Sequence, residues 1–235
     1  MERTDARSET IQILRTRYFL TERIYYHHTK VVAGAMISKA VELAQEYGMC
    51  GEHDLWTLND WQLWDVLRGI PRPDAPDPRI NRLIDRLTER RLLKRGYVLS
   101  AQTIAAPERK EYVQRYHTSR QHRADAEQTL ARELGCDPAE VIVYCPALTV
   151  MKEAAVRVQT PHGVQALNAL DNTPHSETSA IESRYAALWR FYVFVPEEHQ
   201  AQAATCAADL FGHPSEHQVA AVSYTHLRAH ETRPN

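Results

Sequence analysis

Between Glu9 and Tyr47 the chain repeats one pattern that restricts its folding more than any other. Ile11, Leu14, Tyr18, Tyr25, Val32 and Met36 return at intervals of three, four or seven residues, and Ile24, Val31 and Ala35 widen the row. That period places them on one face of an α-helix, which must then lie against a core along its length. The pattern predicts one long helix with room for a kink, closed by Gly48 and Gly51.

Shorter helices follow. Thr57-Leu-Asn-Asp60 opens a second, over Asp60 to Leu67, and the prolines at 71, 73, 76 and 78 mark a loop. A third is expected from Pro78 to Lys94. Pro107 opens a polar helix that runs to about Leu134, where Gly135 supplies a left-handed stop. The texture then changes. Tyr97 to Leu99, Val141 to Cys145, Ala154 to Val158, Val164 to Leu170 and Phe191 to Val195 read as strands, with helices over Ser179 to Trp189 and Pro196 to Phe211. The expected fold class is mainly α, followed by a small α+β domain. The boundaries are 1–96 for the helical region and 97–221 for the second domain.

Residues 222–235 are set apart. Val222 to Thr232 resembles one reading frame of a transposase adapter used in sequencing libraries, so a non-native read-through tail is expected and His226 and His230 are not candidate ligands. In a chain of 235 residues, 43% apolar and 25% charged, there is enough material for a buried core without disulfide staples. No apolar run approaches the ~20 residues of a membrane span, and no signal core follows Met1. These features argue against membrane, collagen-like, secreted and wholly disordered classes. Cys50, Cys136, Cys145 and Cys206 form no C-x-x-C pair and are expected to be reduced thiols in a cytoplasmic protein. Lys and Arg number 28 against 30 Asp and Glu, a net charge of −2, so a general nucleic-acid surface is not favoured.

Several clusters carry donors. In Arg23-Ile-Tyr25-Tyr-His27-His28, two neighbouring histidines on a helix point ~100° apart and would not share a ligand. Arg17, Tyr25 and His27 offer guanidinium, hydroxyl and imidazole groups to an anion. His53-Asp54 imitates a metal-binding doublet, but it lies between Gly51 and a helix start, where Asp54 reads as a turn or cap residue. Arg79, Arg82, Arg86 and Arg90 form one helical stripe, extended by Arg91, Lys94 and Arg95. Along that helix Asp77, Asp85 and Glu89 are the expected partners. Arg115, His117, Arg120, His122 and Arg123 read as an exposed basic stretch, and His213 with His217 has i, i+4 spacing. Trp189, Phe191 and Phe194 read as core.

Arg17-Tyr18, Arg23 to His27 and Val32 to Met36 resemble the helix after the catalytic core in HD-superfamily phosphohydrolases. The likeness is to the deoxynucleoside-triphosphate triphosphohydrolase branch, which includes bacterial dGTPases and the sterile-alpha-motif HD dNTPase. Leu58-Asn-Asp60-Trp-Gln-Leu63 is similar to that branch's L-T-D-x-x-L, and Arg90-Arg-Leu-Leu-Lys94 to its R-x-L-x-K. Met151 to Ala154 and Leu188 to Val195 are similar to its C-terminal domain. The resemblance implies a divalent metal centre that activates water for attack on the α-phosphorus, releasing deoxynucleoside and triphosphate. It implies that Arg17, Tyr25 and His27 line the substrate side, that Arg90 and Lys94 meet the phosphates of a regulatory nucleotide, and that the parent protein is a homo-oligomer. The family's metal ligands lie upstream of the Tyr-x-His helix, and sixteen residues precede Arg17. The expectation is therefore a C-terminal fragment with no catalytic or metal-ligating residues of its own. A non-enzymatic nucleotide-sensing or oligomerisation module is the alternative.

Overall fold

A computed structural model describes residues 4–69, 77–148, 156–160, 163–167 and 176–217. The tail 222–235, Met151 to Ala154 and the prolines at 71, 73 and 76 lie outside these residues.

The long first helix is two helices. α1 (Thr4–Leu20) runs into a π-helical turn, Thr21–Tyr25, and α2 (His28–Glu46) starts afresh. The Thr21 hydroxyl donates back to the Arg17 carbonyl at 2.8 Å, and the Tyr26 amide reaches five residues back to the Thr21 carbonyl at 2.9 Å. Such bonds loosen the regular ladder. His27 is then extended, and its Nδ1 accepts from the Thr29 amide at 3.3 Å, capping α2. The break lets the two halves serve different partners. α1 buries Ile11, Leu14 and Tyr18 against Leu167, Ile181, Tyr185 and Leu188, whereas α2 buries Val32, Ala35, Met36, Ala40 and Leu43 in a separate core.

α3 (Glu52–Leu55) opens with Asp54 Oδ2 accepting from the Gly51 amide at 2.7 Å, the capping role expected of it. α4 (Asp60–Leu67) begins with reciprocal bonds between Asn59 and Gln62, at 2.9 and 3.0 Å. α5 (Pro78–Thr88) is capped by Asp77 and stops six residues short of Lys94. Lys94 belongs instead to β1 (Lys94–Ser100), so Arg90 and Lys94 share no helix.

The expected polar helix is also divided. α6 (Ala106–Tyr112) passes through a π-helical segment, Val113–Thr118, before α7 (Arg120–Leu134), which Gly135 closes at φ 69°. β2 (Ile142–Tyr144) follows, then the hairpin of β3 (Arg157–Thr160) and β4 (Gly163–Ala166), α8 (Glu177–Ala186), β5 (Arg190–Val195) and α9 (Gln200–Phe211). The chain is thus mainly α with a small antiparallel sheet ordered β1-β5-β2. Lys94 pairs with Val195 and Ser100 with Arg190, while Ile142 pairs with Phe194.

β5 has no polar face. Phe191, Val193 and Val195 point into a core with α6, α7 and α9 around Trp189, and Tyr192 and Phe194 point into the core of α2 and α5. β1 divides likewise: Tyr97 and Leu99 enter the first core and Val98 the second. The sheet therefore stands between two cores, and β1 crosses residue 96. Trp189, Phe191 and Phe194 are fully buried, as expected of core residues. All four cysteines are free thiols, and burial pushes Cys145 up to about 12.

A bulge in β1 lies between Arg95 and Tyr97. A Cβ on Gly96 would sit 2.6 Å from Ala203 Cβ and 2.9 Å from Val195 Cγ2. Gly96→Ala is expected to lower the unfolding free energy by roughly 1–3 kcal/mol through overpacking. Urea denaturation checks this, with an unchanged denaturant slope marking a folded-state effect.

Candidate functional site

Three distant stretches of chain close around a cleft of ≈ 390 Å³. The start of α2 gives it His28, Thr29 and Val32. The passage from α5 into β1 gives Arg90, Lys94 and Arg95, and α9 with the segment after it gives Gln200 and His217. Leu92, Leu93 and Phe194 form its apolar floor. Among the described residues no carboxylate lines it, and Glu197 lies 3.6 Å from the Lys94 ammonium. Three cations beside a helix N-terminus make a place suited to an anion.

Each donor is held in its own way. Arg90 sits at φ 59°, alone among the described non-glycine residues in the left-handed region. It ends α5 at the position that glycine usually fills, where an L side chain costs about 1–2 kcal/mol. The Arg91 amide bonds to the Arg86 carbonyl at 2.8 Å and fixes the turn. Backbone strain of this sort collects at functional positions. Gln200 Nε2 donates to the Arg95 carbonyl at 2.9 Å and lies 3.4 Å from His217 Nε2, so β1, α9 and the segment after α9 are tied together. His28 and His217 are half-buried. Burial and the Arg95 guanidinium lower both imidazoles below their ordinary value; for His28, His27 and His217 add to this.

Of the residues singled out by sequence, the structure brings Arg90 and Lys94 into this cleft. Arg17, Tyr25 and His27 are exposed along the α1–α2 junction and do not line it. His27 and His28 do not diverge as they would on a continuous helix. Because the helix breaks between them, their rings lie 4.4 Å apart. His28, Arg95, Gln200 and His217 complete the cleft. Arg95 was visible as an extension of the arginine stripe, and His28 and His217 as members of histidine pairs, but nothing tied these pairs to the stripe and nothing marked Gln200.

The remaining clusters have other duties. Arg79 pairs with Asp77 as expected, but Arg82 and Arg86 reach off their helix to Asp137 and Glu140. Arg120 and Arg123 of the basic stretch pair with Glu46 and Glu42 of α2. His117 bonds through Nδ1 to the Cys145 carbonyl at 2.9 Å. His213 pairs with Glu108, away from His217. Among the described residues no three His, Cys, Asp or Glu side chains converge so as to hold a metal ion. No described helix is long and apolar enough to cross a membrane.

With this architecture in place, the comparisons define the class. The chain belongs to the family described as HD associated region, which matches residues 9–221 and links it to HD-domain proteins. Comparison with curated proteins and with solved structures gives no match.

Two outcomes follow from the cleft. Arg90→Gly is expected to raise stability by about 1 kcal/mol, because glycine enters the left-handed region without strain, while weakening anion binding. Thermal unfolding and anion titration of the same variant check both halves. The lowered histidines also set a pH dependence. Their folded values lie below the ordinary 6.5, so the unfolded chain takes up protons first as pH falls. Their share of the stability is present above about pH 6.5 and is lost below it. A pH series of unfolding free energies, compared with a His28→Asn, His217→Asn double variant, measures that share.

Proposed function

We propose that this chain is the HD-associated part of a metal-dependent phosphohydrolase that converts deoxynucleoside triphosphates into deoxynucleoside and triphosphate. The observation that carries the reading is the basic cleft, which unites Arg90 and Lys94 in a chain of the HD associated region family. In this reading the HD domain supplies the ligands of a divalent ion, whose chemistry is activation of water and stabilisation of charge on phosphate oxygens. The residues here bind and orient. Arg17, Tyr25 and His27 present a guanidinium, a phenol and an imidazole from one exposed junction toward substrate. Arg90 and Lys94, with Arg95, hold the phosphates of a second nucleotide, which regulates the first site. The protein works as a homo-oligomer in the cytoplasm.

A binding module without catalysis is the second reading, favoured by a cleft that gathers cations and, among the described residues, offers no carboxylate to serve as a base. The test is release of triphosphate from each deoxynucleoside triphosphate in the presence of manganese or magnesium. It is run on the 235-residue chain and on a protein that joins it to an HD domain. The expected result is nucleotide binding without turnover by the chain, and turnover by the joined protein that falls at least tenfold with Arg17→Ala or His27→Ala. That fall corresponds to about 1.4 kcal/mol of transition-state stabilisation. Turnover by the chain alone overturns the placing of the metal in the HD domain. Binding without turnover by the joined protein favours the module.

A further inference from the structure

The two histidines of the cleft have no part in that reading as it stands. Each is half-buried, each faces Arg95, and each lies where a bound anion would sit among Arg90, Lys94 and Arg95. Taking the cleft as a phosphate site, we infer that it grips a phosphate chain in a proton-linked manner, His28 and His217 each taking up a proton as the anion enters. The protons come from solvent and return to it on release, and no covalent bond forms. The site is then weaker for phosphate in alkaline surroundings and stronger in mildly acidic ones.

The electrostatics of the empty cleft prepare this. Among the described residues the charged or titratable groups around the two rings are Arg95 and Lys94 from β1, Arg90 from the turn after α5, and His27 beside the start of α2. Gln200 of α9 is polar and uncharged. Glu197 is engaged with Lys94, and the Glu216 carboxylate accepts from the Ser100 hydroxyl. Positive charge and partial burial disfavour the protonated form of both rings in the absence of ligand. A phosphate chain reverses the sign of the local field. An imidazolium then gains an anionic neighbour at each ring, and a neutral ring that could donate one proton becomes one that donates two.

The experiment is calorimetric titration of the full chain with trimetaphosphate, a phosphate ring whose own charge does not titrate near neutrality. It uses buffers of different ionisation heat at about pH 6 and about pH 8. The expected result is net proton uptake at the lower pH and binding about tenfold tighter there, roughly threefold from each of the two imidazoles, each of which contributes at most tenfold for a one-unit rise. His28→Asn with His217→Asn is expected to bind equally at both pH values, near the wild-type affinity at the higher one. Imidazole resonances of the wild-type chain, titrated with and without trimetaphosphate, read the same linkage without a variant.

Affinity that does not change with pH, with no proton uptake, overturns the linkage and leaves the phosphate site standing if Arg90→Glu with Lys94→Glu abolishes binding. Absence of wild-type binding at both pH values overturns the phosphate site together with the linkage. Displacement by dGTP, and not by deoxyguanosine, supports a nucleotide's phosphates on these donors. Displacement by inorganic tripolyphosphate but not by dGTP keeps the linkage and overturns the nucleotide reading.

Discussion

Glu127 lies almost fully buried on α7, where its carboxylate meets the Lys39 ammonium of α2 and accepts from the Val143 amide of β2 at 3.0 Å. Burial pushes the carboxyl above its ordinary range, and the ammonium and the amide pull it back. Desolvating two such charges costs several kcal/mol each, and removing one partner alone costs about 3–5 kcal/mol. The pair can persist only if three elements keep their places. Arg123–Glu42 and Arg120–Glu46 continue the contact along the same two helices. Glu42 and Glu46 follow Lys39 at three and seven residues, so α2 turns one ionic face to α7 while its apolar face meets α5. The rotation of α2 is thereby set, and with it the entry of His28 into the cleft.

Much of this was legible in the residues, for reasons that can be named. α4 has the expected bounds because Asn59 and Gln62 carry a complete capping signal. β5 is unmistakable because five consecutive apolar residues have no helical spacing to offer. The α1–α2 break was hidden because apolar residues continue through it. Ile24 and Tyr25 count toward the stripe, yet the π turn adds a residue and rotates both outward, leaving each more than half exposed. The end of α5 was hidden by charge, since Arg90 to Lys94 looks helical until Arg90 turns left-handed. Arg82 and Arg86 take partners more than fifty residues away, which no local pattern contains. Single residues of the cleft were legible in Arg90, Lys94 and Arg95, but their meeting with His28, Gln200 and His217 was not, because these walls come from segments that meet only when the sheet forms.

Charge is allotted unevenly over a chain whose total is close to neutral. Arg82, Arg86, Arg120 and Arg123 are spent in ion pairs between elements, and their carboxylate partners are spent with them. What is left over at the α5–β1 turn is positive. Net charge alone therefore understates the local field, because solvent exposure and pairing decide which charges a ligand meets.

The strand order β1-β5-β2 has a bearing on how the chain is made. Its two outer strands leave the ribosome first and cannot pair with each other, because the place between them belongs to a strand that arrives last. Until residues 190–195 emerge, the inward faces of β1 and β2 have no neighbour, and the apolar side of α2 waits without the floor that Phe194 completes. Pairings that span about a hundred residues also pay their loop entropy before any contact returns it. The nascent protein thus passes through a long interval as helices with an unfinished sheet, the state in which chaperones engage a chain and in which a premature stop leaves nothing that can close.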